Sequence, residues 1–500
     1  MSTPPTLADW HARAAALQPL KQLLIDGRWQ DAADGATLPC VNPASGQTWT
    51  SVAAGSGADI DRAVRAARAA FEDRRWAGQA PAARKRVLQR WAELVEAHRD
   101  ELALLETLNV GKPIRDALAI DVPATARCLR WYGEAIDKLY DEIAPTAEQS
   151  LALIRREPVG VVGVVVPWNF PLIMSAWKLG PALAAGNSVV LKPAEQSPLS
   201  ALKLAALALE AGLPPGVLNV VTGYGHSAGR ALGLHEDVDA VGFTGSTEVG
   251  KLFLQYAGQS NLKRVWLECG GKTPHIILAD CPDLDAAATA AAWGIFFNQG
   301  EMCTAGSRLL VDRRIKDQVL ERIVAVGRTL APGDPLDPAT QIGAIVSKEQ
   351  WQRVLDYIDI GRAQGATLAL GGAATRGATG GFYIEPTVFD GVNNAMRIAQ
   401  EEIFGPVLSV LAVDGAEQAV RIANDTMYGL AAAVWTRDLA TAHRVSRQLR
   451  AGLVWVNCFD ADDITTPFGG YRQSGNGRDK SLHAFDKYTE LKTIWMRIGD

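Results

Sequence analysis

Apolar residues change their spacing twice along this chain, and each change marks a different kind of packing. In the first third they recur at helical intervals, as in residues 59–71, where Ile60, Val64, Ala67 and Phe71 share one face and Asp59 is placed to cap the first turn. From Val159 onward the pattern becomes short β-branched runs at 160–166, 188–192, 217–221, 240–244 and 265–268, separated by helical stretches. Runs that are apolar on both faces suit a mostly parallel sheet covered by crossover helices. Ser197-Pro198 opens a helix in cap-then-proline order and Gly212 closes it, so Lys192 and Glu195 fall in a strand-to-helix loop. Ligands bind at such loops. A second alternation, through 285–297, 307–311, 319–326 and 383–389, extends toward residue 475 and predicts a separate α/β unit. The stretch 361–381 contains seven glycines and is expected to include an exposed loop.

Length and composition narrow the picture. Five hundred residues exceed what one core needs, so two or three domains are expected. A net charge of -5 gives no basic field for a phosphate backbone, which argues against nucleic acid as a partner. The six cysteines, at 40, 128, 269, 281, 303 and 458, form no CxxC pair and no cluster at metal spacing. They read as free thiols in a reducing compartment, with no metal. The first twenty residues lack a basic start followed by an apolar core, and the most apolar run stops at Pro167 after eight residues. A cytoplasmic protein without a membrane span is expected.

Five segments carry candidate chemistry. Cys303 lies in a Gly-bounded turn, Asn298-Gln299-Gly300-Glu301-Met302-Cys303, directly after an apolar helical stretch. A thiolate presented there would attack an electrophilic carbonyl carbon; a small buried hydrophobe is the plainer reading of the same residue. Glu268, at a strand end before Gly270-Gly271, could be a general base if burial raises its pKa, or a capping acid. Asn169 in Pro167-Trp168-Asn169-Phe170-Pro171 could donate to an oxyanion, or simply shape a turn. The segment 242–250, Gly-Phe-Thr-Gly-Ser-Thr-Glu-Val-Gly, follows a strand and opens a helix whose N-terminus suits a pyrophosphate. Lys192 and Glu195 suit ribose hydroxyls, or pair with each other at a helix start.

In that order, these motifs resemble the aldehyde dehydrogenase superfamily over residues 24–495. The resemblance implies an α/β fold with a Rossmann-like cofactor domain (1–139 and 161–270) built on a five-stranded sheet. It also implies an α/β catalytic domain (271–479) and a small β oligomerisation arm (140–160 and 480–500). It makes Cys303 the nucleophile, Glu268 the base and Asn169 the oxyanion donor. Pro167, Trp168, Lys192, Glu195, Gly225, Gly229, Phe243, Thr244, Gly245, Ser246, Val249, Glu402 and Phe404 would bind NAD, with Glu195 disfavouring NADP. Phe170, Trp177 and Phe459 would wall a substrate tunnel, and Asp460, Asp462 and Asp463 would draw in a cationic or amide-bearing aldehyde.

The segment 474–495 and Ala135-Ile136-Asp137-Lys138 look like the bacterial branch that oxidises gamma-glutamyl-gamma-aminobutyraldehyde in putrescine and polyamine breakdown. Close relatives of that branch accept 4-aminobutyraldehyde or 4-guanidinobutyraldehyde, and the alternative is a broad aliphatic, betaine or 3-hydroxypropionaldehyde dehydrogenase. A homo-oligomer, dimer or tetramer, is implied. Two positions depart from the family pattern. Glu301 stands where many relatives have Gln, which sets a carboxylate close to the nucleophile, and Cys269 replaces a usual leucine.

Overall fold

Three sheets organise the computed structural model, which describes residues 5–499. The first has seven strands in the order Arg264–Glu268, Ala240–Thr244, Val161–Val165, Ser188–Lys192, Leu218–Val220, Leu23–Ile25, Arg28–Gln30. Its first five strands are parallel, as their two-sided apolar runs require, and every residue of Val161–Val165 and Ser188–Lys192 is buried. The last two strands are an antiparallel hairpin from the chain's beginning, added beside Leu218–Val220. The sheet is thus two strands wider than the five expected, because each hairpin strand is three residues long and too short to show a period.

The second sheet also has seven strands, in the order Thr367–Leu370, Thr387–Asp390, Val407–Val413, Arg308–Asp312, Pro274–Ile277, Ala431–Trp435, Leu453–Val456. All are parallel except Thr367–Leu370. The third is antiparallel, with Thr489–Arg497 paired along its whole length to Ser150–Pro158, and Glu142–Ala144 on the other side. The chain between Asp479 and this arm returns to the first unit, where Phe485 and Tyr488 are fully buried in its core.

Local outcomes follow from local chemistry. The helix expected at 59–71 spans Gly57–Glu72 and is capped by Ser56; Asp59 is the buried third residue whose carboxylate closes the capping box. The run 383–389 is two strands, Tyr383–Ile384 and Thr387–Asp390, because Pro386 has no N–H for a ladder. The glycine-rich stretch is more ordered than an open loop. It carries the strand Thr367–Leu370, and its later turn meets Gly46 so closely that a Cβ there would lie 2.4 Å from the Gly380 carbonyl. Among the described residues no helix is long and apolar enough to cross a membrane.

Candidate active site

Strand ends set the site. Val161–Val165 and Arg264–Glu268 are separated in the first sheet by Ala240–Thr244, and the loops at their carboxyl ends carry Asn169, Glu268 and Thr244-Gly245-Ser246. The turn that carries Cys303 enters from the second unit. Helix Leu284–Phe296 stops at a turn in which Asn298, Gln299 and Gly300 all hold positive φ (48°, 57° and 74°), and the chain then delivers Cys303. Two glycines let the units close on each other. A Cβ on Gly271 would lie 2.6 Å from the Cys303 carbonyl, and one on Gly270 would lie 2.0 Å from the Glu402 carboxylate.

Cys303 lies where two cavities meet. One, of about 340 Å³, is lined by Pro167, Trp168, Thr244, Gly245, Ser246, Glu402 and Phe404. The other, of about 320 Å³, is lined by Phe170, Trp177, Asp460, Asp462, Phe468 and Lys480 among others. Phe170, Met174 and Cys303 border both. A molecule in either cavity therefore reaches the same sulfur. Burial pushes the Cys303 thiol far above its ordinary range, and the carboxylates of Glu402, Glu268 and Asp460 push it further, so the resting sulfur is protonated.

The residues of the first cavity fit an extended dinucleotide. Ser246 caps helix Thr247–Gln259, its Oγ accepting from Val249 N at 3.2 Å, so that helix begins with free amides at the cavity edge. The Thr244 hydroxyl is buried without a partner. Outside that lining, Lys192 Nζ donates to Glu195 Oε2 at 3.0 Å, Glu195 bordering a separate cavity beside Tyr224, and next to this pair Gly225 and Gly229 leave room, since a Cβ on either would only reach ordinary contact distance. Glu402 accepts from Gly271 N at 3.0 Å, and burial raises its carboxyl to about 7. Trp168 and Phe404 meet edge to face at 5.1 Å. Phe243 does not line the cavity; its ring lies beneath Gly245, where a Cβ would come within 2.6 Å. Two residues had no motif to reveal them. Gln350 and Arg353, three apart on helix Lys348–Ala363, line the cavity and donate to the carbonyls of Ile403, Phe404 and Glu402.

The second cavity differs from expectation in its acids. Phe170, Trp177, Asp460 and Asp462 line it, but Phe459 turns inward and stacks on His275 at 4.9 Å and against Trp455 at 4.8 Å. Gly294 and Gly306 leave the space that its ring fills. Asp463 is also outside the lining; its carboxylate accepts from Thr465 N and Oγ1 at 2.9 and 2.6 Å. Asp462 is ion-paired with Lys480. That leaves Asp460, open to solvent yet crowded by protein, with its carboxyl raised to about 6 by desolvation. The wall also includes Ile120, Ala124 and Arg127, from a region some 170 or more residues before Cys303. Only the folded chain brings them there.

Glu268 and Asn169 occupy distinct positions. Asn169 is buried and donates through Nδ2 to the Glu301 carbonyl at 2.8 Å. The Glu268 carboxyl is buried without a hydrogen-bond partner and faces away from both cavities, toward Gly469, where a Cβ would lie 2.7 Å from Oε1. Desolvation raises its pKa well above the ordinary range, Asp479 adds to this, and Lys487, Lys178 and Arg478 oppose it. Asp479 itself is held by Lys178 at 2.8 Å and by Lys487.

Comparison with known proteins agrees with this geometry. The aldehyde dehydrogenase family profile matches residues 29–494. The NADP/NAD-dependent aldehyde dehydrogenase PuuC of Escherichia coli (strain K12) is 54% identical over 492 residues, covering 98% of this chain and 99% of that protein. An indole-3-acetaldehyde dehydrogenase solved with NAD+ superposes with a TM-score of 0.98 at 60% identity, covering 99% of this chain and 100% of that one. A gamma-glutamyl-gamma-aminobutyraldehyde dehydrogenase from Burkholderia cenocepacia superposes with a TM-score of 0.97 at 59% identity, with the same coverage.

Proposed function

The chain belongs to the aldehyde dehydrogenase family, and on that premise we propose that it is a broad-specificity enzyme accepting aliphatic, aromatic and amine-bearing aldehydes. It is an NAD(P)-dependent aldehyde dehydrogenase with the family's fold, and it binds NAD. Breadth of substrate is what the proposal adds, and one observation carries it. The tunnel leading to Cys303 is walled by Phe170, Ile173, Met174, Trp177, Trp455 and Phe468, while only one of three nearby aspartates offers an unengaged carboxyl. Such a tunnel gains most from apolar surface of any shape, and a single carboxylate adds a modest bonus for a cation. The narrower reading, an enzyme reserved for aminoaldehydes of putrescine breakdown, rests on three acids acting together, and two of them are already engaged, Asp462 with Lys480 in the tunnel wall and Asp463 with Thr465 outside it. The neighbours' names point the same way, since one is named for an indole aldehyde and another for a gamma-glutamyl amino aldehyde.

The roles assigned to the residues are these. The Cys303 sulfur, once deprotonated, adds to the aldehyde carbon, and Asn169 Nδ2 with the Cys303 backbone N–H receives the oxyanion. Bound NAD supplies the acceptor for the hydride that leaves this carbon. The acyl group then held by Cys303 as a thioester is attacked by water, whose proton passes to Glu268 after its carboxyl turns from Gly469 toward the sulfur. The C–S bond breaks, returning the thiol and releasing a carboxylic acid. Glu195 would accept hydrogen bonds from adenosine ribose hydroxyls and repel a 2'-phosphate, giving a preference for NAD. The three-stranded arm would join subunits into a homo-oligomer in a cytoplasmic, reducing setting that keeps the cysteines free.

The test is kcat/KM with NAD for hexanal, indole-3-acetaldehyde, betaine aldehyde, 3-hydroxypropionaldehyde, 4-aminobutyraldehyde and gamma-glutamyl-gamma-aminobutyraldehyde. Values within about tenfold, roughly 1.4 kcal/mol of transition-state binding, are expected. A preference well beyond that for one nitrogen-bearing substrate would replace breadth with the narrower reading.

A further inference from the structure

Glu301 looks misplaced in sequence, two residues from a sulfur whose ionisation a carboxylate would oppose. In the structure its side chain leaves the site. Glu301 is fully buried, and its Oε1 accepts from Val346 N at 3.0 Å. Gln299 does the same one step earlier, its Oε1 accepting from Gly343 N at 2.9 Å. Two alternate side chains of the nucleophile turn are thus tied to one strap, residues 343–346. That strap is anchored from behind, Ala344 N donating to the Gly111 carbonyl at 2.9 Å and Ile345 N to the Phe382 carbonyl at 2.7 Å.

The turn needs such anchoring. Asn298 and Gln299 both hold the left-handed backbone that side chains disfavour, next to a Gly300 whose Cβ would lie 2.2 Å from the Gly405 carbonyl. The main chain of Glu301 completes the arrangement. Its carbonyl accepts from Asn169 Nδ2 at 2.8 Å and from Asn298 Nδ2 at 3.2 Å. One hydrogen of the oxyanion amide is thereby fixed by the loop that carries the nucleophile, and the other remains for substrate.

We propose that Glu301 is a positioning residue that, by tying its side chain to the Val346 amide and its carbonyl to Asn169, sets the relative placement of Cys303 and the oxyanion donor. The proposal rests on the roles given above to Cys303 and Asn169. The side chain acts as a neutral acid. Burial pushes its carboxyl well above the ordinary range, against the opposing pull of Val346 N–H, Gln299 and Lys112, and its Oε2 has no partner to receive a charge. Lys112, paired with Asp121 at 2.6 Å, is the nearby cation, and Cys303 is the other titratable group on the turn. A neutral acid can do what an amide oxygen does. Glutamine therefore replaces it at neutral pH, whereas in alkali the native side chain ionises and, although Val346 N–H still donates to it, places a charge without a second partner in the dry strap and strains the turn.

Glu301→Gln and Glu301→Ala are compared with the native enzyme by kcat, KM for hexanal and NAD, the rate of Cys303 alkylation by iodoacetamide, and thermal midpoint. Glu301→Gln should keep kcat near pH 7 and lose less of it than the native enzyme as pH rises. Glu301→Ala should lower kcat by roughly 10- to 100-fold with both KM values nearly unchanged, as expected of a misplaced reacting pair. It should also change the alkylation rate at temperatures where the protein remains folded. Native kcat in Glu301→Ala, or an alkaline profile shared by native enzyme and Glu301→Gln, would overturn the proposal, and the second comparison stands even if Glu301→Ala does not fold. Cys303→Ser separates the premises: if it still oxidised aldehydes, the reading of the site would fail whatever Glu301 does.

Discussion

A protonated thiol and a retracted carboxyl are the resting condition of the two residues assigned the chemistry. Both follow from burial. Cys303 gains no ionising help from a neighbouring imidazole, and the three carboxylates around it oppose its charge. Glu268 lies in a dry pocket where desolvation favours its neutral form, so the fraction able to take a proton grows as pH rises through its elevated pKa. The steady-state rate should accordingly have an acid limb centred above the ordinary carboxylate range. Glu268→Gln should remove that limb and lower turnover by roughly 100-fold or more while leaving one equivalent of NADH formed rapidly per active site. Rapid-mixing absorbance at the NADH band checks both points, and an unchanged steady-state rate would refute the base. Cys303→Ser should show neither burst nor turnover. Identity of these two side chains could be read from their strand-end and turn motifs; their protonation could not, since it depends on segments hundreds of residues apart.

The elements were legible in proportion to how much of their stability is local. Parallel strands such as Val161–Val165 announce themselves because both faces are buried, and helix ends because capping residues are adjacent in sequence. The edge hairpin and the divided 383–389 region depend on tertiary pairing and on one proline, and the sequence pattern understates both. The substrate loop is the sharpest case. Its residues Asp460, Asp462 and Asp463 look equivalent in sequence, yet one stands unpaired in the tunnel wall, one is paired in that wall with Lys480 eighteen residues away, and one holds a turn outside it. Phe459 was similarly ambiguous, because a tunnel wall and a core interior both attract an aromatic ring.

Those differences predict separate phenotypes for the three acids. Asp460 has φ of 56°, a backbone that asparagine adopts readily, so Asp460→Asn removes charge with little strain. It should lower kcat/KM for 4-aminobutyraldehyde a few-fold, the effect of a partly screened charge, and leave hexanal unchanged. The native preference should fade as pH falls through about 6, where the carboxyl takes up its proton. Asp463→Asn should change neither substrate and only weaken the turn at Thr465. Equal losses for both aldehydes in Asp460→Asn would exclude charge as the cause.

At the scale of the whole molecule, the unsolved burial lies in the arm. Thr489–Arg497 is paired along its length with Ser150–Pro158, yet Leu491 and Trp495, two positions apart twice over and so on one face, remain 61% and 66% exposed. A three-stranded antiparallel sheet needs one apolar face covered to be stable on its own, and apolar side chains arrayed along a strand rather than scattered singly mark a surface that is covered in use. On the opposite face of the arm the charges are matched within the chain, Lys492 to Glu157 and Glu490 to Arg264 at 3.1 Å. A second copy of this chain is the proposed cover, so light scattering should give a mass at least twice 53.5 kDa. Leu491→Lys with Trp495→Lys should shift it toward 53.5 kDa, since like charges would then meet across a symmetric contact. Because a single chain suffices to bring Cys303, Asn169 and the walls of both cavities together, the dissociated variant should retain much of its kcat while losing thermal stability. A native protein already of single-chain mass would mean that the arm's apolar face stays in water and that the oligomer proposal is wrong.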